Sequence, residues 1–310
     1  MPEPIAAQVR IGIAEEPRHR NHYYEQFPVL ELRAALSTPP TIKTLKKWAA
    51  EAKSVNPQFE HVLLCWQGFT HEERDLRGGV RATLEVGESV NDLGHFKESR
   101  ANLRNWQSVL AAASAVEAKL ILLETPASFA PSSSNKARLR SFVKGWSKLP
   151  EGLRLAWHPA GFWEREECIE ICNELGCLLV VDPLVDPDEP MPTGANCYCQ
   201  MLGRHGLFDR YGDDDLMRLC ELIQGYEDCI VTFRTRQSLR DAQRLLAMLA
   251  DYQADEGEDD DEDEDDDEDF ELDDLLDDDD EDDADDEDDE DEEDEEDEED
   301  EEDEDDEEDL

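Results

Sequence analysis

The sequence is short of several features, and each shortage removes a class of protein. It opens Met1-Pro2-Glu3-Pro4-Ile5-Ala6-Ala7, with neither the basic start nor the apolar run of a secretory leader. The reading is therefore a cytoplasmic chain. No apolar stretch approaches the ~18 residues of a membrane helix. Phosphate loops of the Gly-x-x-x-x-Gly-Lys type, Gly-x-Gly-x-x-Gly fingerprints and Gly-x-Ser-x-Gly elbows are all missing. Nucleotide binding and serine hydrolysis by those devices thus lack support. Paired Cys-x-x-Cys knuckles are missing too. Cys168 and Cys172 lie four apart on a helical pattern, and Cys197 and Cys199 alternate along a strand. Such spacing reads as buried, reduced thiols, with no metal site and no cofactor expected.

Positive charge is scarcest of all: 29 Lys and Arg stand against 84 Asp and Glu, a net charge of −55. The deficit is not evenly spread. Residues 255–310 hold 49 acids and no Lys or Arg, whereas residues 1–254 hold 35 acids and all 29 bases, a net of −6. An ordinary domain, 1–254, is joined to a polyanionic tail, 255–310. Like charges ~3.4 Å apart along an extended chain lie far inside the ~8 Å screening length, so the tail is expected to stay disordered. It would repel phosphates, which excludes direct nucleic-acid binding by the tail. A basic protein is the partner its charge suits. Phe270, Leu272, Leu275 and Leu276 form an apolar island in it that could dock on a partner groove.

The first 254 residues alternate short apolar runs with helical patterns. The runs are Val9–Ile13, Val29–Leu32, His61–Cys65, Leu120–Leu123, Leu153–Trp157, Leu178–Val181, Asn196–Met201 and Cys229–Phe233. Uninterrupted apolar strands suit a parallel sheet covered on both faces. Helices are expected over Thr41–Ala52, Asn102–Val116, Lys136–Trp146, Glu164–Leu175, Asp214–Gln224 and Leu239–Leu249. Thr41 and Ser238 would serve as N-caps and Gly176 as a left-handed terminator. Eight such units in ~250 residues match a closed TIM-like (β/α)8 barrel, with an open doubly wound sheet as the alternative. Two connections fit poorly. Ala14–Pro28 reads as too short for a helix, and Gly68–Gly94 as a long lid-like insertion or loop.

Several motifs carry a family resemblance. Thr41-Ile42-Lys43-Thr44-Leu45-Lys46-Lys47-Trp48-Ala49, Phe59 and Trp66-Gln67-Gly68-Phe69-Thr70-His71 are joined by Leu122-Leu123-Glu124-Thr125-Pro126-Ala127-Ser128-Phe129. Trp157-His158-Pro159-Ala160-Gly161-Phe162-Trp163, Val181-Asp182-Pro183, Leu202-Gly203-Arg204 and Tyr211 follow in order. Over roughly residues 9–250 the set resembles the YecE-like family, domain of unknown function seventy-two. That resemblance implies a TIM-like barrel and no assigned activity. Against the family pattern, Arg33, Ala34, Ala35 and Ser37 replace polar or aromatic positions on the second strand. Leu64, the Leu155-Ala156-Trp157 run, the Gln200-Met201-Leu202-Gly203 run and the Phe233-Arg234-Thr235 run also depart. The reading is a barrel that has shed most of its polar interior.

In such a barrel the loops after the strands gather at one mouth, where function sits. Arg33, Arg204, Arg234 and Arg236 fall there, and a guanidinium fork suits a carboxylate or phosphate. His71, His158 and Asp182 also follow strand ends and are the acid–base candidates. The bland alternatives are solvated or acid-paired arginines, loop histidines and a turn-tying Asp. The leading expectation is a degenerate, non-catalytic barrel that presents its acidic arm to a basic partner as a nucleic-acid mimic. The alternative is an enzyme that takes a small anionic or phosphorylated substrate at a basic mouth.

Overall fold

In the computed structural model of the chain, residues 8–77, 84–185, 187–203 and 210–258 are described, with side chains up to residue 251. Eight parallel strands close into a barrel in sequence order. They are β1 Gln8–Ile13, β2 Val29–Leu32, β3 Glu60–Leu64, β4 Leu120–Thr125, β5 Arg154–Pro159, β6 Leu178–Val181, β7 Asn196–Met201 and β8 Asp228–Phe233. Closure rests on β1 and β8, which pair along their whole length from Gln8↔Asp228 to Ile13↔Phe233. The open-sheet alternative is thereby excluded. Among the described residues no helix is long and apolar enough to cross a membrane.

The long helices are α1 Arg20–Gln26, α2 Ile42–Val55, α3 Arg100–Val116, α4 Ser133–Ser141, α5 Arg165–Leu175, α6 Asp213–Ile223 and α7 Ser238–Glu258. Thr41 caps α2 as its sequence suggests, its side chain accepting from the Thr44 amide at 3.2 Å. Gly176 ends α5 at φ 68°, the left-handed conformation that costs glycine nothing. Ser238 does not cap. It is the first residue of α7, and its hydroxyl donates to Glu15 instead. A π turn over Phe142–Trp146 extends α4 and folds Phe142 against Phe69, Phe96 and Trp106.

One connection differs from expectation. Ala14–Pro28 does contain a helix, the seven-residue α1, because two buried tyrosines anchor it. The Tyr23 hydroxyl donates to the Val29 carbonyl at 2.6 Å and accepts from the Ile13 amide at 3.0 Å. That bridge lies against Gly12, where a Cβ would come within 2.8 Å of the Tyr23 oxygen and 2.1 Å of the Val29 oxygen. Only glycine fits there. Between β6 and β7, where the sequence offered no helical pattern, the described residues hold no helix. The outer side of β6 is left with cavities of about 310 and 230 Å³ beside it.

Alternation along the strands sorts the side chains into two cores. Outward positions such as Ile11, Leu30, Leu63, Ile121, Leu123, Cys199 and Val231 pack beneath the helices. Inward positions Val29, Val62, Leu64, Leu120, Leu122, Ala156, Val180, Tyr198 and Ile230 fill the barrel. Burying each large one contributes roughly 1.5–3 kcal/mol.

Candidate functional site

Above this apolar plug, toward the strand ends, the inward positions turn polar. Glu31 on β2 is fully buried. It accepts from the Tyr198 hydroxyl at 2.8 Å, from Gln200 Nε2 at 2.7 Å and from the Thr232 hydroxyl at 3.1 Å. Burial raises its pKa, and the nearby Glu124 charge adds to the rise while Arg33 opposes it. The Gln200 Oε1 atom beside it is buried without a hydrogen-bond partner among the described residues.

One step outward stands a charged layer. Arg33 directs both Nη atoms at Glu124 on β4, at 2.6 and 3.0 Å, in the bidentate geometry a guanidinium favours. Burial works to raise the Glu124 carboxyl, but the Arg33 bonds and charge outweigh it and hold the pKa at about 2. Arg234 follows β8 and reaches the same carboxylate only at 3.8 Å. Burial and the Arg33 charge both lower its pKa. His158 at the end of β5 is half-buried and held toward neutral by burial, with Arg234 and Arg33 pushing the same way and Glu124 opposing.

Of the candidates read from sequence, Arg33, Arg234 and His158 are brought together around Glu124. His71 borders the group. Its Nδ1 lies 2.8 Å from the Thr70 hydroxyl, burial lowers its pKa, and the Glu124 charge pulls the other way. Asp182 is committed to backbone. One oxygen accepts from the Leu184 amide at 3.1 Å, the other from the Leu202 amide at 2.7 Å and the Tyr211 hydroxyl at 3.4 Å. It ties the β6 and β7 loops through both carboxylate oxygens. Arg236 lies apart, lining a cavity of about 440 Å³ with Arg18, His19 and His22. Arg204 lies outside the described residues, as do Phe270, Leu272, Leu275 and Leu276.

The expectation of a stripped interior is corrected here: a buried acid, a paired acid, two arginines, a histidine, a tyrosine, a glutamine and a threonine converge at one end. Sequence reasoning passed over Glu31, Glu124, Tyr198, Gln200 and Thr232. A signal was available in strand parity. Glu31 shares a face with Arg33, and Tyr198 and Gln200 alternate with outward cysteines.

A second polar cluster flanks the mouth. His95 is buried with Nε2 3.2 Å from the Ser128 hydroxyl and Nδ1 3.5 Å from Glu72, and Ser128 donates to Asp75 at 2.5 Å. His95 and Phe96 hold φ of 49° and 51°, unusual for residues with a Cβ. Buried Asn102 fixes that turn, bonding the Gly94 amide and carbonyl and the Lys97 carbonyl. Glu72, Asp75 and His95 lie close enough to share a cation. Lys97 already sits on Glu72 at 2.9 Å and Arg74 at 3.2 Å, so the cluster is an ion-pair network first.

Residues 12–264 match the family described as a protein of unknown function, DUF72. The chain belongs to that family. Solved DUF72 structures agree: one from Enterococcus faecalis is 15% identical with a TM-score of 0.57, covering 79% of this chain and 99% of its own. One from Thermotoga maritima is 18% identical with a TM-score of 0.58, covering 78% and 99%. A D-psicose 3-epimerase from Clostridium cellulolyticum, 10% identical, shares the barrel at a TM-score of 0.51 over 78% and 98%. At these identities the likeness concerns fold alone. No curated protein matches the sequence. In this DUF72 barrel the polar layer occupies the end where (β/α)8 enzymes of many chemistries place their sites.

Proposed function

We propose that this DUF72 barrel binds a small carboxylate- or phosphate-bearing molecule at its mouth and acts on it by acid–base chemistry. The observation that carries the reading is the charge balance of the layer around Glu124. Two guanidiniums share one ionised carboxylate, His158 is held toward neutral, and burial pushes Glu31 toward its protonated form. Burial pushes both Glu31 and His158 toward their uncharged forms, which leaves Arg33 and Arg234 facing the one carboxylate held well below its ordinary range. An anion completes the balance, and Arg234, the more loosely held cation, is its anchor. Glu31 and Glu124 have pKa values displaced in opposite directions, the pattern that separates an acid from an anion in catalytic carboxylate pairs. Glu31 would supply a proton and His158 accept one, while Arg33 and Glu124 position each other. The test is thermal denaturation against inorganic phosphate, small sugar acids and dicarboxylates at low salt. A ligand at one hundred times its dissociation constant raises stability by ~2.7 kcal/mol. The reading fails if none of them shifts the transition.

A second reading concerns the tail and rests on its composition: 49 acids and no base in 56 residues. It would serve as a polyanionic arm for a basic protein, competing with nucleic-acid phosphates for exposed Lys and Arg. Binding should weaken steeply with salt. Pull-downs with the full chain and with a chain ending at Glu258 separate the two readings, and identical partner sets from both would remove this one.

A further inference from the structure

Three of the eight cysteines stand together, away from the mouth. Cys197 and Cys199 are the outward residues of β7, and Cys229 is the register partner of Cys197 on β8. All three are at most 2% exposed. Their sulfurs lie within 4.8 Å of one another, with Cys197 and Cys199 at 3.6 Å. A soft ion about 2.3 Å from each of three sulfurs would hold them roughly 3.5–4 Å apart. Little movement is needed to reach that geometry.

We propose that Cys197, Cys199 and Cys229 form a three-sulfur site for trivalent arsenic, taken up as arsenous acid. Charge selects the ion. Three thiolates around Cu(I) would bury a net charge of two minus and around Zn²⁺ one minus, and the charged neighbour that acts on Cys229 is the acid Asp228. Uncompensated buried charge is costly. Three thiolates around trivalent arsenic are neutral. In each of three substitutions an As–O and an S–H bond break while an As–S and an O–H bond form. Three waters leave, and no atom changes oxidation state.

No cavity reaches the three sulfurs among the described residues. The nearest cavity, of about 310 Å³, is lined by Cys172, Cys177 and the segment Pro192–Asn196 and stops short of Cys197. The Tyr226 hydroxyl donates to the Pro192 carbonyl at 2.6 Å and pins that segment. Uptake should therefore be slow and should quicken in Tyr226→Phe with unchanged stoichiometry.

The test uses the full reduced chain with arsenous acid, read by native mass spectrometry and arsenic X-ray absorption. One arsenic per chain with three sulfur neighbours is expected. Cys197→Ala, Cys199→Ala and Cys229→Ala should each weaken retention at least tenfold, and Cys172→Ala with Cys177→Ala should leave it unchanged. Should an alanine variant fail to fold, the coordination number in the wild type decides. Two sulfur neighbours or fewer, no arsenic on the folded chain, full retention in Cys229→Ala, or preference for Cu(I) or Zn²⁺ would each overturn the assignment.

Discussion

The two ends of the barrel are both ringed with charge, yet they use it differently. At the base, Arg10 reaches Glu60 and, at 2.5 Å, Asp228. Lys119 reaches Glu60 at 2.5 Å, and Arg154 reaches Asp228 at 3.5 Å. These pairs link β1, β3, β5 and β8 around the rim, and two of their cations are largely in water, Lys119 at 67% and Arg154 at 40% side-chain exposure. At the mouth the acids are withdrawn: Glu31 is fully buried and Glu124 is 14% exposed. The same residue types close a barrel at one end and gather into a half-buried polar layer at the other. Arg10 and Glu60 at the base are themselves only 11% and 16% exposed, so what sets the mouth apart is the fully buried acid, Glu31, beneath its charged pair.

The comparison breaks most visibly by removing one charge from each end. Glu124→Gln strips the anion shared by Arg33 and Arg234 and should cost about 3–5 kcal/mol, the range for opening a buried pair. Arg154→Gln at the base should cost less than about 1 kcal/mol, as exposed pairs do. Urea denaturation of both variants checks the ratio, and equal losses would contradict the account.

Acid sharpens it next. His61 and His95 are buried and their pKa values are pushed down to about 4, chiefly by burial. A histidine depressed on folding contributes stability that is present above its unfolded value near 6.5 and lost as the pH falls toward the folded one. Stability should therefore drop between about pH 6.5 and 4, by on the order of 3 kcal/mol for His61 alone. His61→Phe should flatten that slope. Glu124 acts later: with its folded pKa near 2, its contribution is lost only below the ordinary carboxylate range.

Glu31 has the opposite sign. Its pKa is raised on folding, so its contribution favours the fold at low pH and declines as the pH rises past the unfolded carboxylate value. Glu31→Gln keeps the shape, removes that decline and should change stability at neutral pH by about 1 kcal/mol or less, in either direction. The smallest effect is expected from truncation. Ending the chain at Glu258 leaves every described contact in place and should move the barrel's melting transition by no more than a degree or two.

All eight strands and six of the seven long helices were legible in the sequence, because buried parallel strands and amphipathic helices announce themselves by period. Helix α1 was not, since seven residues carry too little pattern and its stability comes from the Tyr23 bridge to Ile13 and Val29. The candidate site was half legible. Arg33, Arg234 and His158 were marked by their place after strand ends, but the groups that give them meaning lie inside strands. Glu31, Glu124, Tyr198, Gln200 and Thr232 look like ordinary strand residues until closure of the barrel turns them to one point. Comparing motifs position by position also misled, because it counted substitutions where the geometry counts which side chains converge.

The proposed anion site at the mouth can be measured at Arg234. Isothermal titration of inorganic phosphate at low salt into the wild type, Arg234→Gln and Arg154→Gln compares the two ends directly. Saturable binding by the wild type and by Arg154→Gln, weakened tenfold or more in Arg234→Gln, is the expected result. Binding unaffected by Arg234→Gln, or lost equally in Arg154→Gln, would contradict it.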